Sequence, residues 1–404
     1  MRKILALLAA SLSVAACIYP YDPELDEAPE GVLSVDGNIC IGGTSTVRLG
    51  TLASLWVNGS SGRANLSGAR VWVEDDAGNR YEGKNDLPVG LEYSSYSMNV
   101  INLFFTIDTR EAPQDRRYRL RIDALGESYA SDWNEAPAPP VIREISFTAD
   151  EENVLVGVSL DGGESGTGYA LLSYEETWRF HADYYPCYDV TYNEGLGEWE
   201  IAGGTPDMSR YWCWRTRTND RLLPMDYTGR TESGLSGFPL LSFPRRDNRN
   251  HQRYCISVTA STISKETYRF LHNLDVNTDG GDNLFTPNPG EISGNLRCES
   301  NPEKTVLGYA ILSRAVTKRA YLDRRYYIAS PPSPLLYLLP DQYENYLALG
   351  YLPLAENLNL ALGAGTSGES ENPEGPYGWG RPFCYDCTAA GGTLEQPDFW
   401  SETE

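Results

Sequence analysis

From Gly31 onward the chain alternates apolar and polar positions with a period of two. The pattern is plain in Val32-Leu33-Ser34-Val35-Asp36-Gly37, Thr46-Val47-Arg48-Leu49, Ala69-Arg70-Val71-Trp72-Val73-Glu74 and Tyr118-Arg119-Leu120-Arg121-Ile122. Alternation at this period marks strands with one buried face. Turn formers such as Asp75-Asp76-Ala77-Gly78-Asn79 separate the runs. Several short strands at this spacing predict an antiparallel sandwich of immunoglobulin-like type over residues 31–133. The Pro-rich stretch Asn134–Pro140 then reads as a linker.

A second unit is expected over residues 141–404. Ile142, Ile145, Phe147, Val154, Val156, Val158 and Leu160 continue the alternation, and Tyr169–Phe180 and Arg253–Ala260 read as strands. Ser264 stands where a helix N-cap belongs, with Tyr268, Leu271 and Leu274 following on one face, which predicts about three helical turns. Asp341–Leu349 predicts a second short helix, and Gly363–Gly380 an exposed loop. The fold class that results is mainly β, with two antiparallel β-sandwich units and a few short helices inserted in the second.

The start of the chain follows other rules. Met1-Arg2-Lys3 is basic, Ile4–Leu12 is almost wholly apolar, and Val14-Ala15-Ala16 precedes Cys17. This is a secretory signal over residues 1–16, too short to span a bilayer that needs roughly 20 apolar residues. Cys directly after two Ala resembles a bacterial lipobox, so Cys17 is expected to carry acyl chains such as palmitate. Two or more chains hold a protein stably on a membrane. Residues 17–30, rich in Pro, Asp and Glu, read as an extended acidic tether.

Charge narrows the functional classes. The 404 residues carry 33 Lys and Arg against 56 Asp and Glu, a net charge of -23. A nucleic-acid partner is excluded, because a phosphate backbone would be repelled. No Gly-x-Ser-x-Gly, P-loop, His-Glu-x-x-His or Gly-x-Gly-x-x-Gly motif occurs. His181, His251 and His272 are scattered without metal-ligand spacing. Acidic pairs are uninformative in so acidic a chain. Asp275-Val276-Asn277-Thr278-Asp279-Gly280 resembles the start of a calcium loop, with Asp275, Asn277 and Asp279 as candidate ligands. Thr286, however, stands where the closing Glu belongs, and a polar turn is the simpler reading. No cofactor and no catalytic residue is expected.

Two groups of residues remain as candidates. Trp178, Tyr184, Tyr185, Tyr188, Trp199, Trp212 and Trp214 fall within one dense aromatic stretch. Such residues serve strand cores, and they also dominate contact surfaces for partners or sugars. Of the eight cysteines, Cys17 goes to the lipid, leaving seven. In an exported chain Cys187, Cys213, Cys255, Cys298, Cys384 and Cys387 are disulfide candidates. A structural disulfide involving the Cys384-Tyr385-Asp386-Cys387 pair is expected, with the connectivity open.

The terminal block Cys384-Tyr385-Asp386-Cys387-Thr388-Ala389-Ala390-Gly391-Gly392-Thr393, followed by Pro397-Asp398-Phe399-Trp400, resembles a Bacteroidota lipoprotein family catalogued as domain of unknown function 4249. Ser34–Gly37, Gly68–Val71, Glu176-Thr177-Trp178, Cys213-Trp214, Phe285–Pro289, Ile292–Asn295 and Val306–Tyr309 resemble its other blocks in order. Cys255 and Cys298 depart from that pattern and read as an extra pair local to this chain. The resemblance implies an outer-membrane lipoprotein, surface-facing, acting as a non-enzymatic accessory or ligand-capturing partner of a TonB-dependent transporter. An assembly component of the outer membrane and an unrecognised surface hydrolase stand as alternatives.

Overall fold

Buried positions in the first unit follow the sequence pattern residue by residue. In β1 (Leu33–Cys40) the odd-numbered positions Leu33, Val35, Gly37 and Ile39 are buried. In β2 (Thr44–Thr51) Ser45, Val47, Leu49 and Thr51 are buried, and in β6 (Arg117–Ala124) Tyr118, Leu120, Ile122 and Ala124. Between and after them lie β3 (Arg70–Asp75), β4 (Arg80–Tyr93), β5 (Met98–Asp108), β7 (Glu127–Ser131) and the short β8 (Asn134–Glu135). The computed structural model describes residues 32–51, 65–93, 98–161, 168–219, 222–228, 235–279, 294–356 and 375–400. Within these spans the side chains of 86–101 and 276–279 fall outside the description.

The second unit opens with β9 (Val141–Ala149), β10 (Asn153–Asp161), β11 (Tyr169–His181), β12 (Tyr188–Asn193), β13 (Glu198–Gly203), β14 (Trp212–Thr218), β15 (Leu223–Asp226), β16 (Leu235–Pro244) and β17 (Arg253–Thr262). Helix α1 (Lys265–Asp279) follows, capped as expected by the Ser264 hydroxyl, which accepts from the Thr267 N–H at 3.1 Å. The chain then returns to the first sheet. β18 (Leu296–Cys298) pairs with β7, and β19 (Val306–Ser313) lies parallel to β1, Leu33 opposite Val306 through Cys40 opposite Ser313. One residue later β20 (Ala315–Asp323) is back in the second unit, paired with β17. The chain ends with β21 (Leu336–Tyr337), α2 (Tyr343–Ala348), β22 (Leu352–Glu356), β23 (Tyr377–Gly380) and α3 (Pro382–Tyr385).

The molecule is mainly β, with several antiparallel sheets and a few short helices. The first sheet has ten strands, in the order β18-β7-β6-β3-β4-β5-β2-β1-β19 with β8 beside β6, and curls almost into a barrel. Its core is built from Leu33, Val47, Leu49, Val73, Phe105, Ile107, Tyr118 and Tyr129. A break at residues 134–140 does not contain this sheet, because β18 and β19 come from the expected second unit. The reason is edge satisfaction. Strands β7 and β1 would otherwise present unpaired N–H and C=O groups.

The gap between the two ends of the strand path is bridged by one side chain. Asn295 donates from Nδ2 to the Ala310 carbonyl at 2.8 Å and accepts the Ala310 N–H on Oδ1 at 2.8 Å. Its own carbonyl accepts the Asp132 N–H. A carboxamide offers the same donor and acceptor as a peptide unit, so Asn295 acts as a one-residue strand. The seam is tight. Gly308 has φ +108°, and a Cβ there would lie 1.7 Å from the Val35 carbonyl oxygen.

In the second unit, β16-β10-β9 faces β14-β11-β17-β20, with β15 on β11. Val154, Val156 and Val158 pack with Leu172, Trp178, Phe180, Ile256 and Val258 in one core. A smaller cluster joins the units, with Leu171 and Ile263 meeting Leu271 of α1 and Ile311 of β19. A third gathers the β12–β13 hairpin, α2 and the β21-β23-β22 sheet around Trp379.

Two local expectations change. Helix α1 runs through residues 275–279, so the alternating positions of a calcium loop are not realised. The side chains of Asn277 and Asp279 lie outside the described residues, and no group of three potential metal ligands occurs among those described. Tyr377–Gly380 is a strand and not loop. Trp379 is fully buried against Tyr343, with ring centroids 4.6 Å apart. Residues 363–374 lie outside the described residues.

Two substitutions test the closing seam. Gly308→Ala is expected to destabilise the chain by at least about 3 kcal/mol, through forbidden φ and backbone collision together. Asn295→Ala is expected to cost about 1–3 kcal/mol by leaving the Ala310 groups unpaired. Guanidinium denaturation followed by tryptophan fluorescence measures both, and wild-type midpoints would refute the closure.

Candidate functional site

The structure breaks the aromatic stretch of the sequence into separate places. Trp178 is buried in the main core of the second unit. Trp214 packs with Cys255 and Trp400, Trp199 joins the cluster around Trp379, and Tyr188 packs edge-on to Tyr377 at 5.2 Å. Tyr184, Tyr185 and Trp212 lie outside these clusters and do not themselves line the neighbouring surface cavity of about 370 Å³, which Trp212 reaches only through its contact with His181. Its wall includes Phe180, His181, Asp183, Arg246, Asn248, His251, Tyr327, Ser333 and Phe383.

Two of the chain's three histidines meet here. Their linear separation gives no sign of it, since the contact is made by strand ends and a turn. His181 closes β11, and His251 follows the short 3-10 turn Asn248–Asn250. Their ring centroids are 3.8 Å apart. Tyr211 stacks on His181 at 4.8 Å, Trp212 meets it edge-on at 4.9 Å, and Tyr185 extends the row to Tyr211 at 5.6 Å. On the other side Tyr327 lies 5.1 Å from His251. Tyr184 donates to the Ser333 carbonyl at 3.3 Å.

A buried ion pair braces the turn that carries His251. Glu176 of β11 accepts from Arg249 at 3.0 Å and from the Tyr254 hydroxyl at 2.9 Å. Arg249 also bonds Asp247. Removing one partner of such a pair would strand a charge away from water.

The electrostatics favour neutral imidazoles. Burial pushes His251 down to about 4, helped by the neighbouring His181 and by Arg324, against the pull of Asp183. Burial likewise lowers His181. His181 Nδ1 lies 2.6 Å from the Ala182 carbonyl, so that nitrogen carries the hydrogen. His251 Nδ1 is buried without a hydrogen-bond partner. Asp183 accepts from the Ser333 N–H at 2.8 Å and its hydroxyl at 2.6 Å. The arrangement sets ring faces and polar groups side by side around one cavity.

A second cavity, about 410 Å³, lies between β15, β16 and α1 and is lined by Arg217, Leu222, Met225, Phe238, His272 and Asp275. Its rim adjoins positions 220–221, which lie outside the described residues.

The cysteines meet the expectation in part, with one bridge that takes a member of the Cys384 and Cys387 pair. Cys387 is disulfide-bonded to Cys213, with Cα atoms 5.7 Å apart. Cys384, Cys187, Cys255 and Cys298 are free. Cys255 and Cys298 form no local pair, because they belong to different cores. Burial pushes the Cys255 thiol up to about 11 and raises those of Cys187 and Cys384. Such thiols are poor nucleophiles. Beyond the bridge the chain continues as a buckle over the second sheet. Trp214 and Thr393 exchange both backbone hydrogen bonds at 2.8 Å. Gly392 lies so close that a Cβ would stand 2.5 Å from that of Cys213. Trp400 is buried, and Arg319 lies 4.0 Å over the Phe399 ring. Cys17 lies outside the described residues.

The fold is mainly β, with a surface cavity where the end of β11 meets the turn that carries His251. The chain belongs to the family described as Domain of unknown function (DUF4249), which matches residues 18–319. The terminal buckle lies beyond that match. No curated protein matches the chain. A solved structure of a DUF4785 family protein from Legionella pneumophila subsp. pneumophila str. Philadelphia 1 is 11% identical, and the alignment covers 52% of this chain and 55% of that one at a TM-score of 0.19. The chain thus spans about half the length of that structure, and a likeness at this level carries no argument.

Two outcomes follow from this geometry. Replacing Cys213 and Cys387 together by Ser is expected to lower stability by about 2–5 kcal/mol, since the bond closes a loop of 174 residues. Non-reducing peptide mapping should recover this one link among the described cysteines. The unfolded chain protonates His251 below about 6.5 while the fold resists to about 4, so stability present at neutral pH falls as pH drops through that window. The loss is about 1–2 kcal/mol after allowance for partial exposure. Denaturation of wild type and His251→Gln at pH 7 and 4.5 measures it, and an equal fall in both would refute the assignment.

Proposed function

We propose that the protein is an outer-membrane lipoprotein held by acyl chains on Cys17, working as a non-enzymatic, ligand-capturing accessory of a TonB-dependent transporter. The observation that carries this reading is the lipobox-like Ala15-Ala16-Cys17 after a short apolar signal, followed by an extended acidic tether. Lipid at that cysteine would leave the body free above the membrane at the length of the tether. Among the described residues no helix is long and apolar enough to cross a membrane. The cavity beside His181 and His251 supports the capturing role. It lies within the usual size range of small-molecule sites, about 300–1,000 Å³, and combines ring faces with a few polar groups.

Membrane fractionation and mild-detergent co-purification test the reading. Wild type is expected in the outer-membrane fraction with an acylated N-terminal peptide, and Cys17→Ser in the soluble fraction. A TonB-dependent receptor is expected to co-purify with wild type. Recovery of the lipoprotein alone, with the receptor encoded by the neighbouring gene expressed, would sink the partnership.

A further inference from the structure

We infer that the cavity beside His181 and His251 takes a small ring compound bearing a carboxylate or phosphate, with Arg246 in the wall receiving the oxyanion, Arg324 adding positive charge from over the Tyr327 ring, and the aromatic wall receiving the ring. The inference rests on the ligand-capturing reading above and names the ligand class for that site.

The first observation is an unneutralised positive edge on a chain of net charge -23. Some arginines meet two carboxylates, as Arg119 does with Glu74 and Glu299, and Arg249 with Glu176 and Asp247. Others, such as Arg215 and Arg319, settle on a carbonyl, a hydroxyl or an aromatic ring. Arg246, in the cavity wall, and Arg324, beside it, are of the second kind. Arg246 bonds only the Ala329 carbonyl, at 3.2 Å, and Arg324 lies 4.9 Å over the Tyr327 ring. Among the described residues neither has a carboxylate within ion-pair distance. The one carboxylate in the wall, Asp183, already accepts two hydrogen bonds from Ser333. A guanidinium fork matches carboxylate and phosphate oxygens two at a time, so these are the groups it recognises best.

The second observation is backbone conformation. Arg324 sits at φ +23°, one of two non-glycine residues at positive φ among those described. An L-residue there is held against its preference by its surroundings, and such strain gathers at binding sites. It follows β20 directly and is fixed by its N–H bond to the Gln252 carbonyl, next to His251.

The third is an incomplete hydrogen-bond inventory. His251 Nδ1 is closed to solvent and has no partner, and a buried polar atom in that state costs about 1–3 kcal/mol. Asn248 adds an exposed amide to the same wall. Phe180, Tyr327 and Phe383 supply apolar faces for a ring. The cavity volume suits a single ring with its substituent and is too small for a polymer segment to fill as a whole.

A bound anion would also favour protonated imidazole, so affinity should tighten as pH falls. The charged and titratable groups facing the pair are Asp183, Tyr185 and Tyr211 on one side, and Arg246, Arg324 and Tyr327 on the other. Burial holds both imidazoles below their ordinary value in the free protein, so a bound anion would raise them.

Calorimetry on the mature, detergent-solubilised protein without receptor tests the inference. The probes are glucuronate, benzoate, glucose 6-phosphate, glucose and inorganic phosphate. At least one of the first three is expected to bind at least tenfold more tightly than both glucose and inorganic phosphate. Carboxylate against phosphate ester separates the two anion sources. Arg246→Gln should weaken that binding at least tenfold, with Arg324→Gln as a second variant, both keeping the wild-type melting temperature. Affinity should rise about three- to tenfold from pH 8 to 5.5. Failure of all three ring anions, equal binding of glucose, equal binding of inorganic phosphate, or indifference to both Arg variants would each overturn it. Ring-anion binding by a protein that associates with no receptor would leave this inference standing and remove the transporter partnership. Co-purification with a receptor but no ring-anion binding would do the reverse.

Discussion

A curled sheet with unpaired ends is unstable as a free body, and this constraint organises the whole molecule. Strands β1 and β7 stand at the ends of what residues 33–135 can build alone. Each end is covered by a strand from far along the chain, β19 on β1 and β18 on β7. Parallel pairing of β1 with β19 requires a long crossover, and the crossover here contains most of the second unit. The two units therefore cannot be separated at the Pro-rich stretch without exposing both edges. Passage from β19 to β20 through Arg314 alone ties the second sandwich to the same seam. Helix α1 wedges the junction, with Leu271 against Leu171, Ile263 and Ile311. The site at the end of β11 inherits its rigidity from this arrangement.

The sequence blocks that carry the family resemblance have structural duties. Gly294 and Gly308 pass so closely that a Cβ on Gly294 would stand 1.9 Å from the Gly308 carbonyl oxygen, and Asn295 clasps Ala310 beside them. Glu176 forms the buried ion pair, while Thr177 shares a hydrogen bond with Thr216 at 3.0 Å. Cys213 anchors the terminal buckle. His181, Asp183, Arg246, His251 and Tyr327 all fall outside those blocks. Those blocks bear on how the chain closes more than on the cavity wall.

Much of the fold was legible because one face of each strand is buried, which imprints period two on the sequence. Leu33, Val35 and Ile39 show it, as does the Ser264 cap of α1. Long-range closure was not legible. Val306–Tyr309 reads as one more strand, and nothing local says that its partner is Leu33–Asp36. Trp379 was hidden by its setting, since Tyr-Gly-Trp-Gly after a Gly- and Pro-rich stretch reads as loop when the glycines in fact admit close neighbours such as Leu335 and Leu354. The candidate site was only partly visible. Burial divided the aromatic stretch, taking Trp178 and Trp214 into cores and leaving Tyr185 and Trp212 outside, and none of the seven aromatics singled out lines the cavity. The histidine pair and the arginine edge depend on a turn near residue 250 meeting the end of β11, a contact that no spacing rule encodes.

Net charge and local charge act at different ranges. At physiological ionic strength the field of the whole chain is screened within about 8 Å, so a net charge of -23 governs encounter more than contact. A polyanion meets that field along its whole length and is rejected. A small anion would meet it only on approach, and at the cavity would face the guanidinium group of Arg246 in the wall, with that of Arg324 beyond Tyr327. There the local term outweighs the distant one, because Coulomb energy rises as separation and effective dielectric constant both fall. On the proposed reading, an acidic body with a basic group at its cavity would discriminate by size among anions, the property that a ligand-capturing role requires.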